Sequence, residues 1–306
     1  MRTLQAAAIG FFLLGVTNAL AWNEFGHMTV AAIAYDHLTP SAQAKVAALL
    51  KLNPNYNKWT AGVPKKERTR VAFILAATWP DFIKHAPGYQ NDGNRPSDPG
   101  AGQNIGYQDK LQHRYWHFID LPFSPDGTPL VDPVTPNAKS QIALFRETLH
   151  GSTASDEVKS YDLVWVLHLV GDVHQPLHAT SRFDKDQPTG DNGGNLVALC
   201  AHPCKNELHA FWDEALGTSL KPTDAVKKAA KMKSADAQLA SIRDEATWID
   251  ESFHAAQDAV YVSPVGVGAG PFTLDATYKT AARELAAKRV ALAGARLANL
   301  LNDALK

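Results

Sequence analysis

The chain has 306 residues, of which 30 are Lys or Arg and 31 are Asp or Glu, for a net charge of −1 at neutral pH. That balance advertises no basic surface, so a polyanionic partner would have to be held by something more local than overall charge. Two cysteines exclude a disulfide-dense scaffold, and a 45% apolar fraction is enough for a large core.

The N-terminus reads as a secretory signal: Arg2, an apolar run from Ala6 to Val16, and small residues in Ala19-Leu20-Ala21 that place a cut after Ala21. Processing would give a secreted or periplasmic protein that begins at Trp22. Residues 22–306 contain no further run of membrane length, no repeat and no composition shift, so they read as one domain without stable membrane association, expected as a monomer.

Apolar residues recur at helical spacing from Asn23 to His37 and from Ser41 to Leu52, and Thr39-Pro40-Ser41 supplies a turn and a fresh N-cap between them. Glu67 to Trp79 continues the helical period as far as Pro80-Asp81, and Ala86 to Gly106, rich in Gly, Pro, Asn and Asp, predicts a long surface loop. Leu111 to Leu121 is crowded with aromatic and β-branched side chains and is the best candidate for extended structure. Helical periodicity resumes over Asn137–Leu149 and Asp156–Val173, followed by a loop from Ser181 to Ala201 and a short helix over Glu207–Leu216 with a stop at Gly217. Ala225–Gln257 and Leu274–Lys306 read as long alanine-rich amphipathic helices. The expected fold class is all-α, a single mainly helical domain with long loops.

The chemistry concentrates in Leu167–Ala179, LHLVGDVHQPLHA. On a helix, His168 and Asp172 stand four apart on one face and aim an imidazole and a carboxylate at a common point. Pro176 ends or kinks that helix and sends His178 in another direction. His209 and Asp213 repeat the same spacing in the short helix near residue 210. Asp81, at a predicted helix end, would ordinarily be a solvated cap, His117 a half-buried structural histidine, and His27 lies near the new N-terminus. Together these residues are too rich a ligand list for one zinc ion. His174 should point off the shared face into a structural or supporting role. His37, His85, His113, His150, His202 and His254 have no partner spacing and read as surface or packing residues. Cys200 and Cys204 share one short loop and are assigned to a local disulfide, a thiolate metal site with His202 being the other reading.

WNEFGH (Trp22–His27), TWPD (Thr78–Asp81), WHFID (Trp116–Asp120), HLVGDVHQPLH (His168–His178), GGN (Gly193–Asn195) and LHAFWD (Leu208–Asp213), in this order, resemble the zinc-dependent S1/P1 nuclease family, part of a superfamily shared with zinc phospholipase C. The resemblance implies the helical fold of that superfamily and three Zn2+ per chain. One would be held by Asp81, His117, His168 and Asp172, a second by the amino group and carbonyl of Trp22 with His27 and Asp172, and a third by His178, His209 and Asp213. Asp81 and Asp172 would carry the catalytic centre. Lys84 and Asn195 match residues that touch phosphate, Phe118 the ring on which a base stacks, and Asp120 the carboxylate that bonds its edge. The implied reaction is hydrolysis of single-stranded DNA and RNA to 5′-phosphate products, together with 3′-nucleotidase activity. A phospholipase C acting on lipid head groups is the alternative, opposed by the short Trp22–His27 spacing, by Asp rather than Glu at 213, and by the Phe118/Asp120 pair. A zinc-storage protein is a third reading, which ligands dispersed over five segments do not favour.

Overall fold

The computed structural model describes residues 22–151, 153–201 and 206–306. Residues 1–21, read above as a signal, together with His202 and Cys204 lie outside the described residues, and with them the expected cleavage and the expected Cys200–Cys204 pairing.

Local signals set most of the helix starts. Helix α1 (Glu24–Asp36) begins where the Asn23 side chain accepts from the backbone N–H of Phe25 and Gly26, and α2 (Pro40–Leu50) begins with Thr39 as cap and Pro40 in the first turn. After them come α3 (Tyr56–Trp59), α4 (Arg68–Ala76), α5 (Trp79–Ile83) and α6 (Ala138–Gly151). Helix α7 (Asp156–Asp172) is capped by Ser155 and carries Asp156 and Glu157 in its first turn, where carboxylates favour the helix dipole. The chain continues through α8 (Leu208–Asp213), α9 (Pro222–Ala229), α10 (Ala237–Ser241), α11 (Glu245–Ala255) and α12 (Ala276–Ala304).

Every residue of α7 from Ser160 to Asp172 is buried, so this helix is the axis on which the others pack. Helices α1, α2, α5, α6 and α12 all contact it. Helices α1 and α12 run against each other so closely that a Cβ on Gly294 would fall 2.6 Å from the Ile33 side chain. A smaller apolar cluster gathers around Leu177, Leu208, Trp212 and Tyr278, beneath the turn that follows α7.

Three expectations are corrected. Leu111–Leu121 is not extended: a 3-10 turn spans Arg114–Trp116, and the only strands among the described residues are β1 (Leu121–Phe123) and β2 (Thr180–Arg182), paired in parallel with Leu121 opposite Thr180. The aromatic side chains that suggested a strand are buried in the core instead, as Tyr115 and Trp116 show. The single helix expected over Ala225–Gln257 is three helices, because the side chains of Asp236 and Asp244 each accept backbone N–H groups two and three residues on and start new helices. The helix expected to run from Glu67 to Trp79 stops at Ala76, and Asp81 lies inside the short helix α5 rather than at a solvated end.

Candidate metal centre

Four segments meet at the C-terminal end of α7. Helix α7 presents His168 and Asp172 on one face, α1 brings His27, α5 brings Asp81, and the turn before β1 brings His117. Parallel pairing of β1 with β2 holds the last of these in place: Ile119 N–H donates to the His178 carbonyl, and the His178 ring Nδ1–H donates to the carbonyl of His117 at 2.7 Å. The helix ends at Asp172, and a 3-10 turn at Pro176–His178 turns His178 toward α8, which carries His209 and Asp213.

The structure thus brings together all eight of the His and Asp residues expected as ligands. Their ligand atoms form three buried groups, each within 4.8 Å: His27, Asp81 and His168; His117, His168 and Asp172; and His178, His209 and Asp213. Asp172 splays its two oxygens. Oδ1 lies 3.2 Å from His27 Nε2, while Oδ2 lies 3.2 Å from both His117 Nδ1 and His168 Nε2. Trp22 is fully buried against Gly26, where an added Cβ would fall 2.7 Å from the Trp22 Cβ.

Protonation states follow from the backbone acceptors. A carbonyl can only accept, so Nδ1 carries the hydrogen in His168 (to Ala77 O, 2.7 Å), in His178 (to His117 O) and in His209 (to Gly193 O, 2.6 Å). In their neutral forms, the Nε2 lone pairs of His178 and His209 then face each other at 3.1 Å, with Asp213 Oδ2 3.4 Å from the second. Two lone pairs converge beside a carboxyl group, an arrangement that calls for a proton or a cation between them. Across the first two groups, both ring nitrogens of His27, Nε2 of His117 and Oδ1 of Asp172 are buried without a hydrogen-bond partner. An unsatisfied buried polar atom costs about 1–3 kcal/mol, and four among these neighbouring residues mark a place built for something else. The residues present fit a divalent metal, and an N/O donor set of this kind suits zinc.

Electrostatics agree. Burial, reinforced by His168, lowers His27 to about 4, and burial with Lys84 and His168 lowers His117 to about 3, so both rings are neutral at pH 7 and free to act as ligands. Burial would raise Asp81 and Asp172, but Lys84 beside the first and His168 beside the second hold both well below the usual carboxylate range. Asp213 goes the other way, pushed up by burial and by the charges of Asp81 and Asp172. A carboxyl that retains a proton for want of a cation is poised to exchange that proton for a metal.

The expected substrate contacts are placed as follows. Lys84 is buried, with Nζ 2.7 Å from Asp81 Oδ1. Phe118 and Asp120 are half-buried beside His117. Asn195 donates its side-chain amide to Asn192 O and stands at the surface of the loop whose Gly193 orients His209. His174 is not a ligand: Nδ1 donates to Val170 O and Nε2 meets the Arg296 guanidinium at 3.0 Å. His113, expected to be without a partner, is corrected. It is buried between Asp109 (2.8 Å) and Asp92 (3.3 Å) and stacked on Trp116, and Asp109 four residues earlier was the signal for it.

Several supporting residues escaped sequence reasoning. Gln175 donates to Asp213 Oδ1 at 2.8 Å and to nothing that its sequence position would suggest. Gly193 has φ 62°, and a Cβ there would collide with the Leu177 carbonyl oxygen. Gly171 is the sharpest case, since a Cβ would fall 2.9 Å from His27 Nδ1. Helix propensity alone makes Gly171→Ala stabilising by about 1 kcal/mol. Contact with a fully buried ring stacked 3.8 Å from His168 reverses the sign. The variant is expected to lose about 1–3 kcal/mol and part of its bound zinc. A melting temperature at or above that of the parent, with zinc per chain unchanged, would refute this.

A mainly helical scaffold closing on buried His/Asp groups defines a class of proteins with a candidate metal site. Within that class the chain belongs to the S1/P1 nuclease family, whose family model matches residues 22–306. It is 26% identical to Endonuclease 4 of Arabidopsis thaliana over 66% of this chain and 57% of the relative, and 26% identical to Endonuclease 1 of the same plant over 68% and 58%. It is 27% identical to Endonuclease 2 over 51% of this chain and 57% of that protein. The chain therefore spans less than two thirds of the length of these relatives.

Proposed function

We propose that the processed chain is a secreted or periplasmic zinc-dependent nuclease that hydrolyses phosphodiester bonds of single-stranded DNA and RNA to 5′-phosphate products. The observation that carries this reading is the pair of opposed Nε2 lone pairs on His178 and His209 facing Asp213, together with a second set of buried, partnerless His and Asp atoms. Asp81, His117, His168 and Asp172 would hold one zinc, Trp22, His27 and Asp172 a second, and His178, His209 and Asp213 a third. Zinc bound there supplies positive charge that polarises the phosphodiester and lowers the pKa of water. Asp172 serves both of the first two positions with its two splayed oxygens. Cleavage after Ala21 would free the Trp22 α-amine as a ligand. Lys84 neutralises Asp81 and adds a cation where phosphate would lie. Phe118 offers a ring for base stacking, which tolerates every base.

The test is hydrolysis of single-stranded DNA and RNA by the processed protein with and without EDTA. Release of 5′-mononucleotides that chelation abolishes and Zn2+ restores is expected. Absence of chelator-sensitive hydrolysis of either polymer would overturn the reading, and turnover of phosphatidylcholine alone would replace it with a phospholipase.

Asp120 adds a pH dependence. Burial of its carboxyl, with the negative charge of Asp191, pushes it up to about 7, against the pull of Arg95. Below that pH the group both donates and accepts, matching the N6/N1 edge of adenine. Above it the carboxylate only accepts, matching the paired donors of guanine. The ratio of KM for adenine to KM for guanine dinucleotides is therefore expected to rise as pH passes from 6 to 8 in the parent and to be flat in Asp120→Asn. A flat ratio in the parent would refute this.

A further inference from the structure

Overall charge conceals a local excess. Between residues 51 and 70 the chain carries Lys51, Lys58, Lys65, Lys66, Arg68 and Arg70 against a single acid, Glu67. The four lysines are exposed, and among the described residues none of them is within ion-pair distance of a carboxylate. Arg70 pairs with Asp36 at 2.7 Å and Arg68 donates to Val63 O, so the free charge belongs to the lysines. Lys51 caps the end of α2, and the others lie on α3, the turn before α4 and the start of α4, which pack together.

The same face reaches the metal centre through one side chain. Phe82, the residue after Asp81, is 42% exposed and is the only exposed aromatic among the described residues. The Lys58 ammonium lies 4.9 Å from its ring centroid. An exposed phenyl ring gains nothing from water, and the helix could have placed any polar residue there. Its neighbours Asp81 and Lys84 turn inward and are buried, so Phe82 stands where α5 meets solvent beside them.

We propose that this face is an accessory binding track for single-stranded nucleic acid flanking the linkage to be cut, with a base stacked on Phe82 and the adjoining phosphate drawn to Lys58. Lys65 and Lys66 extend the positive field along the strand, over a range of about 8–10 Å at ordinary salt. The combination of a solvent-facing π-surface with unpaired cations is what sequence-independent single-strand binding uses. Binding energy from nucleotides outside the reacting centre then favours long strands over short ones. The inference rests on the nuclease reading for its occupant, yet the track is separable from the metal ligands.

The experiment compares the processed, zinc-loaded protein with Phe82→Ala, Phe82→Tyr and the triple variant Lys58→Glu, Lys65→Glu, Lys66→Glu. Substrates are a thymidine dinucleotide and a 20-nucleotide oligothymidylate, and a phosphorothioate 20-mer reports Kd by fluorescence anisotropy. Phe82→Ala is expected to raise KM and Kd for the 20-mer about fivefold, with Phe82→Tyr restoring both. The triple variant is expected to flatten the salt dependence of log Kd by about 2. Dinucleotide kcat/KM should be unchanged in all three. Unaltered 20-mer binding, or an equal loss on the dinucleotide, would overturn the track. Should the parent cleave neither substrate, the nuclease reading fails, and the phosphorothioate Kd still decides the track.

Discussion

Asp172→Asn is expected to reduce kcat on single-stranded DNA by more than about a hundredfold and to remove at least one zinc per chain. A hundredfold is the upper end for residues that merely support a metal ligand, and Asp172 is placed to be more than that. Its two oxygens face His27 on one side and His117 with His168 on the other, each at 3.2 Å. The amide keeps the shape but loses the charge and turns one oxygen into a donor pointed at imidazoles. His174→Ala is the control from the same stretch. It deletes a fully buried ring that caps Val170 O and meets Arg296, so it should cost about 2–4 kcal/mol of stability while zinc content and turnover of the folded protein persist. Measured zinc stoichiometry and kcat would show the difference, and equal losses from the two variants would overturn the ligand assignment.

Glu251→Ala is expected to cost substantial stability without touching any candidate ligand. Arg296 donates to both oxygens of Glu251 at 2.7 Å, and Arg289 reaches the same carboxylate at 3.1 Å. Burial already brings Arg289 down to about 10, with Glu251 opposing that shift. Removing the acid would leave two buried guanidinium groups facing each other. The expected cost is about 3 kcal/mol, the low end for breaking a buried ion pair because the Glu251 side chain is 23% exposed. That corresponds to a fall of roughly 6 °C or more in Tm. The effect should extend to the metal centre, since Arg289 also donates to the His174 carbonyl and Ser252 to that of Val173, which hold the turn leaving Asp172. Thermal unfolding with zinc bound measures the first effect and zinc affinity the second. A Tm within a degree of the parent would refute the argument.

The clustering of the candidate ligands was legible because they obey helical arithmetic. His168 with Asp172 and His209 with Asp213 are each one helical turn apart, a relation that sequence spacing fixes once the segment is helical. The helix start at Thr39-Pro40 was legible for the same reason, since a cap acts on backbone groups two or three residues away. The Ala225–Gln257 segment was misread because its apolar period persists across Asp236 and Asp244, and the two carboxylates that restart the helix look like surface residues in a period count. The Leu111–Leu121 segment was misread because aromatic residues suit a buried turn as well as a strand.

By itself, the sequence determined the all-α class, the ligand residue types and the pairs within each helix, because these depend on interactions within one turn of the chain. The tertiary structure decided which pairs meet. It set His27 against Asp172 across α1 and α7, opposed the Nε2 atoms of His178 and His209, and used Gly171 to let an imidazole approach a helix backbone. It also laid the Lys58 ammonium over the Phe82 ring. Such relations join residues far apart in the chain, and only packing around α7 fixes their distances.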